Sequence, residues 1–499
     1  MNKKIIFLLS LILVIFLSNR YLAYRQLGYR EIPETTDILD EKNYIWAAKS
    51  FLQTGIPTAW STLDAYKNNE RKGDVEIEGL SINVEGEKPS LSNISKFDYP
   101  VAAVVEMDVG KGEEQILFVQ PFIDHSFVSG LVFGSNTPNN ISSFVDVKPD
   151  QYRLMAIYVS ILTGLLLFIL TYLIDNNLLT AILAFLIYST VNVYLLVSRY
   201  ALIENLLIPL TLASLVFLVL VRQKWVTQTY QKRFLWVLSG MSAGLALTTK
   251  ELGVATVIAG VLILLGDKIS RRNILFFFIP ALIIGSLFYL YALVVSPRLF
   301  FDAFINQVSR GFFGPLNSIY AFYRPHFAGF PLEGWWPFGF ICLLFLAEKF
   351  QKNREIIIGF LSYLFVFLFF GGLNYPWYSL IFVPFIVIAS AIFIKEMLFS
   401  PTILKLIIFF LFPFSSSLYW GRHVFHQQSS NILVYRLFII FFLILIIFTS
   451  LKKKIPGIKI LITLMLLLIL WKMCQWNLYG FTYLIANWGD LPQEFFLKL

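Results

Sequence analysis

Long apolar runs alternate with short charged turns along most of this chain. The runs lie at roughly 5–17, 154–174, 178–197, 203–221, 235–249, 252–266, 273–295, 337–348, 356–373, 377–394, 404–420, 432–451 and 459–478. An apolar run nearing the roughly 20 residues that a helix needs to cross a bilayer predicts a transmembrane span, so the pattern predicts about thirteen. The least regular parts are 235–266, a hairpin split only by Thr248-Thr249-Lys250-Glu251, and the short run at 337–348. The first run follows Lys3-Lys4 and leads into Tyr21-Leu22-Ala23-Tyr24 without a small-x-small cleavage pattern. An uncleaved first helix with an interfacial aromatic belt is therefore expected, rather than a signal peptide.

Two stretches do not read as bilayer segments, 25–152 and 296–336. They divide the chain into a first transmembrane helix (1–24), a first extracytoplasmic loop (25–152) and transmembrane helices (153–295). A second extracytoplasmic loop (296–336), further transmembrane helices (337–478) and an extracytoplasmic tail (479–499) follow. Within the first loop, Tyr44, Ala47, Ala48, Phe51 and Leu52 recur at helical spacing over 40–54. Val75, Ile77, Ile82 and Val84 alternate as in a strand, and strand patterns at 101–109 and 115–120 flank Gly110-Lys111-Gly112. The expected fold is an all-α polytopic membrane protein with a small α+β first loop, which carries a β-containing insert at about 60–120.

Composition agrees. Hydrophobic residues make up 57% of the chain, charged residues only 14%, and the mean hydropathy is +0.70. That excludes a soluble enzyme, a disordered chain and a secreted disulfide scaffold. The net charge of +9 points to cytoplasmic loops rather than to nucleic acid, because its bases collect in alternate turns. Turns assigned inside carry Arg222, Lys224, Lys232 and Arg233, then Lys268, Arg271 and Arg272, then Lys349, Lys352 and Arg354, and finally Lys395, Lys405 and Lys452–454. The turns near 198–202 and 250–251 carry one base each. The N-terminus is expected in the cytoplasm, in a bacterial cytoplasmic membrane. Cys342 and Cys474 lie in apolar runs and suggest neither a disulfide nor a metal site.

Candidate chemistry starts at Asp37-Ile38-Leu39-Asp40-Glu41-Lys42-Asn43-Tyr44. Its plain reading is a solvated acidic turn that caps a helix. Its functional reading is a carboxylate at the membrane surface acting as a general base. Asp40-Glu41-x-x-Tyr44-x-x-Ala47-x-x-x-Phe51-Leu52-x-x-Gly55-x-Pro57 resembles the first-loop signature of the GT-C membrane glycosyltransferases. The nearest branches are the dolichyl-phosphate-mannose–protein mannosyltransferases and the aminoarabinose transferases. Further likenesses follow in order along residues 35–385. Asp124-His125 lies where that class has a His/Lys-Pro-Pro-like segment, and Arg153 opens the next span. Ser198-Arg199-Tyr200-Ala201-x-x-Glu204 resembles its Arg-x-Ala-x-x-Asp/Glu motif. Gly240-x-x-x-Gly244-Leu245-Ala246-Leu247-x-Thr249-Lys250 and Asn374-Tyr375-Pro376-Trp377-Tyr378 resemble two later motifs. The chain departs from the pattern at Asn43, where the family often has Arg, and at Asp124-His125-Ser126, where its Pro-Pro pair is absent.

The resemblance implies a polyprenyl-phosphate-linked sugar as donor and a protein, lipid or glycan hydroxyl as acceptor. A phosphate leaves readily, so one base suffices where a glycosidase uses two carboxylates. Fixed cations should meet the charge that develops on the departing phosphate. Asp40 and Glu41 are the catalytic candidates. Tyr44, Arg153, Arg199, Glu204, Lys250, Tyr323, Arg324 and His326 are candidates for the donor, and Asp37, Asp124 and His125 for the acceptor or the loop. Each cation has a bland alternative: Lys250 can snorkel, Arg153 can anchor at the interface, and Arg199 can pair with Glu204. No divalent metal or other cofactor is expected, and contacts are expected with membrane lipids but not with nucleic acid. A lipid-linked glycan transporter or flippase, or an O-antigen polymerase-like or ligase-like protein, are the alternatives. The former should show repeats and mid-span polar groups, and the latter a large late loop.

Overall fold

In the computed structural model the described residues are 3–26, 39–55, 57–60, 81–82, 103–108, 114–121, 124–139, 147–223, 225–295, 334–370, 376–425 and 456–486, with isolated positions near 297–305 and 436–444. The chain starts with α1 (Lys3–Gln26) and α2 (Leu39–Thr54). Asp40 and Glu41 lie in the first turn of α2, where the helix dipole favours negative charge. Gly55, at φ +76°, ends α2 in the left-handed conformation that glycine adopts without a steric penalty. Four strands follow, β1 (Thr58–Trp60), β2 (Ser81–Ile82), β3 (Ala103–Asp108) and β4 (Glu114–Pro121), in sheet order β1-β4-β3-β2. β4 runs antiparallel to β1 (Thr58↔Pro121) and to β3 (Ala103↔Val119 through Asp108↔Glu114), whereas β2 pairs parallel with β3. Most of the alternating segment 75–84, and the expected turn at 110–112, lie outside the described residues.

The helical body follows as α3 (Ser126–Phe133), α4 (Pro149–Asp175), α5 (Leu178–Thr190), α6 (Asn192–Val197), α7 (Ile203–Arg222), α8 (Thr229–Thr249), α9 (Val254–Gly266) and α10 (Arg271–Val295). It continues with α11 (Trp335–Ala347), α12 (Phe350–Phe370), α13 (Val383–Phe399), α14 (Ile403–Phe409), α15 (Ser415–Phe425) and α16 (Pro456–Ala486). Among the described residues, six helical stretches are long and apolar enough to cross a membrane, and three shorter apolar helices accompany them. The chain is a multi-pass integral membrane protein. The expected span 178–197 is not one helix. Val191 is extended (ψ 118°), and the Asn192 side chain accepts from the Val193 N–H at 3.0 Å, a local bond that competes with helix continuation. The expected span 432–451 lies largely outside the described residues.

Burial follows sequence character. From Val383 to Ile394, α13 is almost wholly apolar and is buried on every side, which makes it a central strut. α10 is two-faced: Phe277 and Ala281 are fully buried, while Leu282, Ile283 and Leu290 are exposed on the surface that lipid would cover. Its inner face packs on α8, and the closeness of that contact explains the Gly240-x-x-x-Gly244 spacing. A Cβ at Gly240 would overlap the Phe277 carbonyl, and one at Gly244 would lie 2.8 Å from the Ala281 carbonyl oxygen. Small residues let backbones approach in membranes, where helices gain little from burial.

Charged side chains gather at the two ends of the bundle. At the end where α4, α7 and α9 finish, Asp175 accepts from Lys352 at 2.7 Å and pairs with Lys395 at 3.0 Å. Arg222 pairs there with Glu355, and Arg354 with Asp267. Gly240→Ala should overpack the α8–α10 contact and cost about 1–3 kcal/mol. Thermal unfolding in detergent should show a lowered midpoint, and an unchanged midpoint would contradict the close approach.

Candidate active site

The opposite end of α4 and α7 carries α2. The side chain of Glu41 points inward and is fully buried. Its Oε2 accepts two bonds from the Arg153 guanidinium, from Nη2 at 2.8 Å and Nε at 3.2 Å, and its Oε1 accepts from the Ala201 backbone N–H. Both oxygens are thus committed, and so is a fully buried Arg153. Glu41, expected at the catalytic centre, and Arg153, expected at the donor, are bonded to each other, and together they fasten α2 to the bundle. A charge taken out of water is tolerated only when it is paired and hydrogen-bonded, and this pair is both.

Successive residues on a helix point about 100° apart, so turning Glu41 inward leaves Asp40 on a different face. Asp40 is half-buried. Its carboxyl is pushed up to about 6, first by burial and then by the carboxylates of Asp124 and Glu204; the Tyr44 hydroxyl and Lys250 oppose the rise. Tyr44 follows one turn later and is held far above the ordinary phenol value, by burial first and by Asp40 next, so it stays a neutral hydroxyl. Asp40, Tyr44, Asp124, Glu204 and Lys250 therefore share one electrostatic neighbourhood, although 210 residues separate Asp40 from Lys250.

Lys250 is the cation of this cluster. It forms an ion pair with Glu204 and lies 4.1 Å from the centre of the Tyr378 ring. The α8–α9 turn that carries it is tight, because the Gly253 N–H donates to the Lys250 carbonyl at 2.8 Å. A Cβ on Gly253 would overlap the Ala246 carbonyl. The expected Arg199–Glu204 pair is replaced by Lys250–Glu204. Arg199 instead donates to the Tyr24 carbonyl at 3.0 Å and stacks on Phe481, with its guanidinium carbon 4.3 Å from the ring centre. Arg25 makes the reciprocal contact: it donates to the carbonyls of Tyr194 (2.9 Å) and Leu195 in α6 and to the Tyr21 hydroxyl. Arg25 thus satisfies carbonyls near the end of α6, and Arg199, just past α6, satisfies one near the end of α1. Asp37, Tyr323, Arg324 and His326 lie outside the described residues.

The segment after β4 completes the cluster. Asp124 Oδ1 accepts the Ser126 N–H at 3.0 Å and starts α3. His125 is buried, stacks on Phe288 at 4.1 Å, and places Nε2 2.9 Å from Glu251 Oε1. α3 lies against α2 so closely that a Cβ on Gly130 would overlap the Tyr44 carbonyl. Lys49 reaches past the end of α3 to the Thr137 carbonyl (2.9 Å) and the Asn139 side chain (3.1 Å). Sequence reading missed Arg25, Gly130 and Glu251 as site builders. Only the Lys-Glu step at 250–251 carried a trace of the last.

The arrangement offers a half-buried base, a neutral phenol beside it and a held cation. Among the described residues no three His, Cys, Asp or Glu side chains are grouped to hold a metal ion. Removing one partner of the buried pair, as in Glu41→Ala, should cost about 3–5 kcal/mol. The expected result is loss of folded protein on size exclusion together with a lowered thermal midpoint. A well-folded Glu41→Ala would show that the pair does not carry α2.

Comparison with known proteins gives the same picture from two sides. Residues 115–304 match the sequence model of the dolichyl-phosphate-mannose-protein mannosyltransferase family. The fold matches the crystal structure of ArnT from Cupriavidus metallidurans bound to undecaprenyl phosphate, with a TM-score of 0.53 and 14% identity over 97% of this chain and 77% of that one. The apo structure of the same protein matches with a TM-score of 0.50 and 14% identity, over 99% of this chain and 78% of that one. No curated protein matches the sequence. Residues 115–304 thus resemble the dolichyl-phosphate-mannose-protein mannosyltransferase family, and the chain shares its fold with ArnT, as its motif order implied.

Proposed function

We propose that the protein is an inverting glycosyltransferase that moves a sugar from a polyprenyl-phosphate donor to an acceptor hydroxyl at the outer face of the membrane. The observation that carries this reading is the Asp40 carboxyl, half-buried and raised to about 6 beside the Lys250–Glu204 pair. At neutral pH such a carboxyl is ionised yet basic enough to take a proton, which suits general-base work. Asp40 removes the acceptor proton as the hydroxyl oxygen attacks the anomeric carbon from the face opposite the phosphate. The C–O bond to phosphate breaks and its electrons leave with the phosphate oxygen. Lys250, held by Glu204 and the Tyr378 ring, stands ready for that charge without reorganising. In this reading the fixed cation is a lysine, so the step requires no divalent metal. The reading also draws support from the match of residues 115–304 and from the undecaprenyl phosphate bound to the structurally similar ArnT. The positive-inside charge distribution supports a carboxylate cluster outside and the Asp175, Arg222 and Arg354 end inside.

A glycan flippase is less consistent with this charge layout. Among the polar groups inside this chain's bundle, the hydroxyls of Thr211, Thr256 and Tyr363 bond to one another at 2.7–2.9 Å.

The test uses the full chain in lipid nanodiscs with polyprenyl-phosphate sugars. Asp40→Asn should reduce transfer by at least about a hundredfold, the scale of one general base. Its thermal midpoint should be unchanged or raised. The sign follows from linkage: a carboxyl raised in the fold stabilises while protonated and loses that contribution as pH rises through about 6. The wild-type rate should climb with pH through about 6 on its acid limb. Full activity in Asp40→Asn would remove Asp40 as the base.

A further inference from the structure

One ion pair near the cluster takes no part in that chemistry. His125 and Glu251 lie 126 positions apart, one just before α3 and the other in the α8–α9 turn, and they meet at 2.9 Å. His125 is only 5% exposed in its side chain, with Phe288 stacked on one face at 4.1 Å and Tyr289 edge-on at 5.4 Å. Each partner is bonded in sequence to a residue that acts on Asp40. Asp124 precedes His125, and Lys250 precedes Glu251. Asp124-His125-Ser126 also stands where the resembling family has a Pro-Pro pair, so the chain holds this segment by charge rather than by ring stiffness.

We propose that His125 and Glu251 are positioning residues whose ion pair clamps the first loop to the α8–α9 turn, and so fixes Asp124 and Lys250 within electrostatic reach of the Asp40 carboxylate. The clamp itself stands apart from the proposed function, and only its effect on rate rests on that reading. The groups facing His125 are Glu251 and Asp124, which favour its charge, and Lys250, which opposes it; Phe288 and Tyr289 wall it from water. Burial alone would lower the imidazole, but Glu251 reverses this and the imidazole titrates above its ordinary value. The sign follows. A group raised by its partner contributes in full below its unfolded value and loses that contribution as pH rises through its folded value. The clamp is therefore strongest below the ordinary imidazole value and slackens as pH rises through the raised folded value.

The experiment uses the full chain in nanodiscs with labelled histidine. The chain has four histidines, so His125→Gln assigns one resonance. In the wild type that resonance should titrate above the ordinary imidazole value. In Glu251→Gln it should fall, since burial and Lys250 then act against Asp124 alone. Amide exchange in α3 should speed up about tenfold in either variant, the loss expected for one charge-assisted hydrogen bond. Transfer should persist in both variants, but the acid limb of its pH profile should move to lower pH by about half a unit or more, because Asp124 raises Asp40 more than Lys250 lowers it. The charge-swapped double variant, His125→Glu with Glu251→Lys, should restore α3 protection and remove its pH dependence. An unchanged His125 titration in Glu251→Gln, or α3 exchange equal to wild type, overturns the clamp. An unmoved pH profile in active variants overturns the positioning role. A wild type without transfer activity refutes the proposed function alone, and the titration and exchange data still decide the clamp.

Discussion

The buried pair between Glu41 and Arg153 sets the geometry of everything at its end of the bundle. A fully enclosed carboxylate has one acceptable orientation, the one in which both oxygens are bonded, and here those bonds run to α4 and to the backbone at Ala201. Fixing Glu41 fixes the rotation of α2. Asp40, one residue earlier, then has no freedom to turn inward and neutralise itself against the same arginine. The chain places two adjacent acids in opposite circumstances, one anchored by a full counter-charge and the other left among like charges. That contrast separates a paired carboxylate from one held above its ordinary value.

Charge at both ends and grease between them is the simplest description of the fold. At one end the acids and bases form closed pairs, including Asp175 with two lysines and Glu355 with Arg222. At the other, carboxylates outnumber their partners around Asp40, and Lys250 is shared between Glu204 and an aromatic ring. Complete pairing suits a seal. Incomplete pairing leaves Asp40 among like charges, and with burial that keeps its carboxyl raised.

Much of this was legible in the sequence. Hydropathy runs located most helices, and the acidic turn after the first run, Glu204 and Lys250 stood out as polar residues flanking apolar stretches. The structure gathers Asp40, Tyr44, Asp124, Glu204 and Lys250 in one neighbourhood. Partner choice was not legible. Periodicity reports which face of a helix is apolar, not which helix lies opposite. Arg153 therefore looked as free to meet a phosphate as to meet Glu41, and Arg199 looked like a partner for Glu204 when its real contacts are Tyr24 and Phe481. Backbone features were equally silent. The break at Val191 is marked only by the flanking Ser189, Thr190 and Asn192 within a long apolar run, and nothing around Gly130 says that another helix's carbonyl lies against it.

The pairing of β1 with β4 has a consequence for how this loop can vary. Thr58 faces Pro121 and Trp60 faces Val119, so the chain leaves the neighbourhood of α2 and returns to it through one short ladder. The excursion between those rungs is stapled at its base, next to α2, which carries Asp40. The free-energy cost of closing a loop grows only as the logarithm of its length. A change in the length of that excursion is thus expected to leave the ladder at its base, and the placement of Asp40 beside it, little altered.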